Sequence, residues 1–103
     1  MTPTTVLSAA KESAELDVIS LGEALVDFMP AQPGARVRDV STWHKCLGGA
    51  PANVAVGLSR LGAKAAMVGV TGDDELGHFI AEELAREGVE VARVRFTAEG
   101  KTG

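Results

Sequence analysis

The sequence contains one cysteine, Cys46, in 103 residues. A single cysteine excludes an internal disulfide and suits a reducing compartment, and Cys46 itself reads as a small buried hydrophobe rather than a reactive thiol. Also missing is any apolar run approaching the ~20 residues needed to cross a bilayer. The first stretch, MTPTTVLSAAKESAE, has no positively charged start followed by an apolar block, so it does not read as a secretory signal. Ten Lys and Arg stand against fourteen Asp and Glu, a net charge of −4. The basic residues are scattered, which leaves no stripe for a phosphate backbone. Neither nucleic acid nor membrane is expected as a partner, and the cytoplasm is the expected location. His44 has no Cys, His or acidic neighbour at metal-ligand spacing, so no metal site is expected and His44 is assigned no role.

What is present is the composition of a soluble globular chain, 46% hydrophobic and 23% charged, long enough for one modest domain. Residues 1–16 read as a disordered leader and residues 17–103 as the folded part. The stretch that organises it is GGAPANVAVGLSRLG, residues 48–62. Paired glycines let the backbone approach a ligand closely, Pro51 suits the first helical turn, and Gly62 sits where a left-handed C-terminal cap belongs. A helix is expected over residues 50–61, with Val54, Leu58 and Leu61 as the stripe that packs on a sheet.

Around this helix lie candidate strands. LDVISL, residues 16–21, reads as a buried first strand, and ALVDFM, residues 24–29, as an extended segment in which Asp27 faces away from Val26 and Phe28. Residues 36–47, RVRDVSTWHKCL, read as an antiparallel return strand, with Trp43 in the core or at an interface. AAMVGV, residues 65–70, completes a strand–helix–strand unit whose crossover should be right-handed. A second helix follows, with Leu76, Ile80 and Leu84 as its stripe, Asp73 or Asp74 as its cap, and Glu82 paired with Arg86. VEVARVRF, residues 89–96, is a third strand whose alternation slips at Ala92, which suggests a bulge. The closing TAEGKTG is turn chemistry with nothing behind it, and a fragment is the expectation.

GEALVDFMP, GGAPANVAVGLSRLG and VGVTGDDELG occur in that order and spacing. With these motifs the sequence resembles the ribokinase-like (PfkB-type) carbohydrate kinases, and among them the fructokinases. The resemblance covers residues 17–103. It implies an α/β fold, the N-terminal part of a Rossmann-type α/β/α domain with β-lid strands near residues 24–30 and 36–47. The implied activity is transfer of the ATP γ-phosphate, with Mg2+, to a sugar hydroxyl. Carried over position by position, the carboxylate that contacts sugar hydroxyls is Asp27, the glycine pair lining the sugar pocket is Gly48 and Gly49, and the sugar-binding asparagine is Asn53.

These residue types suit that task. A carboxylate has only acceptor sites and can take protons from two neighbouring hydroxyls, while an amide both donates and accepts. The family's glycine-rich GAGD-type motif, which holds the catalytic base and an anion hole at a helix N-terminus, does not occur here, nor does an ATP-binding segment. No catalytic residue is therefore assigned in this chain, Asp73 and Asp74 are read as caps, and the chain by itself is not expected to turn over. Two other readings remain open. One is a non-catalytic sugar-binding or dimerisation module, since exposed lid edges favour a homodimer; the other is a kinase for 2-keto-3-deoxygluconate, ribose or another sugar. A dinucleotide-binding unit is weaker, because GEALVD rather than GxGxxG follows the first strand.

Overall fold

The computed structural model describes residues 15–103. The leader expected over residues 1–16 falls, apart from Glu15 and Leu16, outside the described residues. A three-stranded parallel sheet is formed by β1 (Val18–Leu21), β4 (Ala65–Gly72) and β5 (Glu90–Thr97), with β4 in the centre. A separate antiparallel ribbon, made by the segments expected as lid strands and called the lid on that expectation, pairs β2 (Leu25–Pro30) with β3 (Trp43–Gly48). Between β3 and β4 runs α1 (Ala50–Arg60), and between β4 and β5 runs α2 (Glu75–Arg86). Helix α1 packs on β1 and β4, whereas α2 packs on β5, β4 and both lid strands. The strand order steps in one direction, so right-handed crossovers set both helices on one face of the sheet. On the other face Ile19, Leu21 and Val70 are 60, 74 and 58% exposed.

The core lies between sheet and helices. Ile80 and Leu84 of α2 are fully buried with Phe79 packed beside them, as the helical period requires, and each side chain of this size stabilises by roughly 1.5–3 kcal/mol. Helix α1 behaves differently from its pattern. Ala52 and Ala55 are the residues turned to the sheet, while Val54 is 50% and Leu61 84% exposed. Small side chains allow the helix axis to come close, and the Ser20 hydroxyl donates to the Pro51 carbonyl at 2.6 Å, fastening the first turn of α1 onto β1. At the other end the Ser59 hydroxyl donates to the Glu87 carbonyl at 2.7 Å, and Arg60 forms a two-point ion pair with the Glu87 carboxylate. That pairing holds Glu87 below the usual carboxylate range and raises Arg60.

Several sequence expectations need correction. The return strand is not continuous from Arg36. A 3-10 turn (Val37–Asp39) comes first, held by the Arg36 Nε to Asp39 Oδ2 bond at 2.7 Å, and pairing begins only at Trp43. Arg86 pairs with Glu83, three residues before it, rather than with Glu82. The slip at Ala92 is a register shift, in which Glu90 and Arg93 oppose Ala66 and Val68, so β5 carries one extra residue. Nor does the terminal TAEGKTG run out into solvent: Thr102 is bonded to Asp74, and the Gly103 carbonyl accepts the Val26 N–H at 3.0 Å.

Candidate functional site

Antiparallel pairing sets the direction of every side chain on the lid. Asp27 stands opposite Cys46, and Gly48 follows Cys46 by two, so all three share one face. Val26 and Leu47 point the other way and pack against the core. On that same inner face Lys45 lays its ammonium 4.4 Å from the centroid of the Phe79 ring, which ties β3 to α2. Asp27 is exposed and Gly48 buried. A Cβ placed on Gly48 would lie 2.7 Å from the Asp27 carboxyl carbon and closer still to Oδ2, so the carboxylate rests on the bare α-carbon of that glycine. Any side chain at this position would displace it.

Gly49 makes the turn from β3 into α1. Its φ of 96° lies in the region that disfavours side chains, and a Cβ there would come within 2.8 Å of the Glu23 carbonyl oxygen. As N-cap it offers no side-chain acceptor to the free N–H groups of α1, and no acidic residue occupies the first turn. The Asn53 N–H donates to the Gly49 carbonyl at 2.9 Å, closing the first helical turn and leaving the exposed Asn53 amide to solvent. Among the described residues neither the Asp27 carboxylate nor the Asn53 amide has a hydrogen-bond partner. An open groove of about 490 Å³ runs beside Asn53, with Gly57 and Phe79 on the helices and Cys46 on β3. Asn53 lines the groove and Asp27 does not.

Of the two aspartates in TGDD, Asp74 is the cap: its Oδ1 accepts the Gly77 N–H at 2.7 Å. Three bonds reach this carboxylate, from the Thr102 hydroxyl, the Thr102 N–H and the Gly77 N–H, and they draw it down to about 2. Asp73 instead contacts His78 Nε2 at 2.9 Å, and that imidazole stacks on Phe96 with centroids 4.3 Å apart. Thr102 and Ser20 carry no motif in the sequence. Their parts in the structure come from contacts with residues about thirty positions away in the chain, Asp74 for Thr102 and Pro51 for Ser20.

The family model "pfkB family carbohydrate kinase" matches residues 15–103. A probable fructokinase-4 of Arabidopsis thaliana is 43% identical over 94 residues, which is 91% of this chain and 29% of the relative. An uncharacterized sugar kinase of Pyrococcus horikoshii, solved in complex with ATP, superposes with a TM-score of 0.77 at 40% identity, over 84% of this chain and 28% of that one. A double mutant of the Vibrio cholerae fructokinase, solved with fructose, ADP and potassium ion, gives a TM-score of 0.73 at 35% identity, over 82% and 26%. The chain thus spans less than a third of the length of the proteins it matches. Its parallel α/β sheet with a separate two-stranded ribbon, its glycine turn and its family match agree: the chain belongs to the pfkB family of carbohydrate kinases.

Proposed function

We propose that this chain is the sugar-binding N-terminal portion of an ATP-dependent, fructokinase-like sugar kinase that moves the ATP γ-phosphate to a sugar hydroxyl in the whole protein. The observation that carries this reading is the Asp27 carboxylate laid on Gly48, exposed and without a partner among the described residues. Two adjacent hydroxyls of a sugar supply the donors that such a group lacks, through charge-assisted bonds. Gly48 and Gly49 form the floor, and the Asn53 amide, one turn into α1, donates to or accepts from a further hydroxyl. Fructose is the favoured substrate, because relatives 43% and 35% identical to this chain are named as a probable fructokinase and a fructokinase.

Phosphoryl transfer works by positioning and by stabilising charge on the transferred group. Among the described residues no group of three or more His, Cys, Asp or Glu could hold a metal ion, and Asp73 and Asp74 are engaged with His78, Gly77 and Thr102. None of these residues is assigned to hold the Mg2+ that accompanies ATP. The same chain alone is expected to show no ATP-dependent phosphorylation of fructose. Phe28 and Met29, each 52% exposed, with Trp43 at 39%, favour a homodimer through the lid, which sedimentation would detect. Cys46 as a single free thiol favours the cytoplasm. Among the described residues no helix is long and apolar enough to cross a membrane.

The test is a fructose titration followed by the amide NMR shifts of Gly48, Gly49 and Asn53. Shifts that saturate in the wild-type chain and vanish in Asp27→Ala support the proposal. Shifts that survive Asp27→Ala, or no response to fructose at all, would sink it.

A further inference from the structure

The segment after β5 bends back over the start of α2. There the Thr102 N–H donates to Asp74 Oδ2 at 3.0 Å, the Thr102 hydroxyl donates to Asp74 Oδ1 at 2.6 Å, and the hydroxyl oxygen accepts the Gly72 N–H at 3.1 Å. The next residue, Gly103, accepts the N–H of Val26, the neighbour of Asp27 on β2, at 3.0 Å. One carboxylate is thereby bonded on one side to a helix and on the other to a strap that holds the strand presenting Asp27. Capping α2 needs one acceptor contact, the bond to Gly77. The contacts to Thr102 exceed that need. Space for them is kept by glycines: a Cβ on Gly72 would lie 2.5 Å from Asp74 Oδ2 and 2.7 Å from the Thr102 nitrogen, and one on Gly77 would lie 2.9 Å from the Thr102 hydroxyl.

A two-stranded ribbon is marginal on its own, so the bonds that join the lid to the body determine where it rests. We propose that Asp74 is a positioning residue, which acts through Thr102 and Gly103 to hold β2 and with it the Asp27 carboxylate. The link from Asp27 to sugar rests on the function proposed above; the link from Asp74 to β2 does not.

The experiment is site-resolved amide hydrogen exchange on the 103-residue chain without sugar. It compares wild type with Asp74→Ala and Thr102→Val. The second variant leaves the Gly77 cap and the Thr102 N–H bond to Asp74 in place and removes the hydroxyl contacts to Asp74, Gly72 and Thr71. Exchange at Val26 is expected to accelerate by about tenfold in both, the scale set by losing a local tether rather than the fold. The Gly88 and Val89 amides at the far end of α2, bonded to Ala85 and Leu84, should keep their rates. Unchanged exchange at Val26 would overturn the proposal, and so would equal acceleration at Gly88 and Val89, which reports general destabilisation. Should Asp74→Ala not fold, Thr102→Val alone decides. A wild-type chain blind to fructose removes the sugar reading while leaving this result standing, and an unmoved Val26 removes the positioning role while leaving sugar binding intact.

Discussion

Two glycines inside helices should respond to alanine with opposite signs. Helix propensity by itself favours both replacements, by about 1 kcal/mol each. At Gly57, in the middle of α1, a Cβ would meet nothing within 4 Å, so propensity decides and Gly57→Ala should stabilise the chain by about 1 kcal/mol. Gly77 is buried in the first turn of α2, where a Cβ would collide with the Gly72 carbonyl oxygen and the Thr71 hydroxyl and lie 2.9 Å from the Thr102 hydroxyl. The carbonyl is backbone at the end of the central strand and cannot rotate away, which places the overpacking cost at the upper end of the usual range, about 3 kcal/mol. Subtracting the propensity gain leaves a net loss of about 2 kcal/mol for Gly77→Ala. For a domain this size each kcal/mol moves Tm by roughly 4–8 °C, so thermal or urea unfolding would resolve the pair if both probes show a single cooperative transition. A Gly77→Ala chain as stable as wild type would refute the packing argument, and a destabilised Gly57→Ala would show that the open face of α1 is not open.

Ser20→Ala removes the bond to the Pro51 carbonyl and should lower stability by about 1 kcal/mol, read from urea denaturation; no change would mean that this bond does not secure α1. Because the Asp74 carboxyl lies at about 2 in the folded chain, below the ordinary aspartate value, the unfolded state binds more protons between these values. Stability from this group is complete above about pH 5 and is lost as pH falls through about 2, so the Tm gap between wild type and Asp74→Asn should close over that window. A gap of constant size would contradict this linkage. Loss of the fructose response in Asp27→Ala and selective acceleration of Val26 exchange in Thr102→Val complete the set.

Much of the architecture was legible because it depends on neighbours along the chain. The α1 boundaries follow from Gly49, Pro51 and Gly62, and the α2 stripe of Ile80 and Leu84 from helical period, since local sterics and periodicity act within a few residues. The bulge in β5 showed itself as a break in alternation at Ala92. Resemblance of three ordered motifs identified Asp27, Gly48, Gly49 and Asn53 as candidates for binding. Their types alone would not have done so, as an exposed aspartate and a first-turn asparagine each have ordinary uses.

Other features were settled between distant residues. Which face of α1 is buried was misread, because Val54, Leu58 and Leu61 form the more apolar stripe whereas close approach to the sheet selects Ala52 and Ala55. Arg86 could reach Glu82 or Glu83 with similar ease, and side-chain geometry chose Glu83. The TAEGKTG segment looked unpartnered because Asp74 and Val26, which hold it, lie far away in sequence. The helices, the glycine turn and the family can be read from short segments and their order. That the Asp27 carboxylate rests on Gly48, and that Asp74 bonds to Thr102, follows from the fold. Those contacts exist because folding brings separate segments within bonding distance, and no local pattern encodes that meeting.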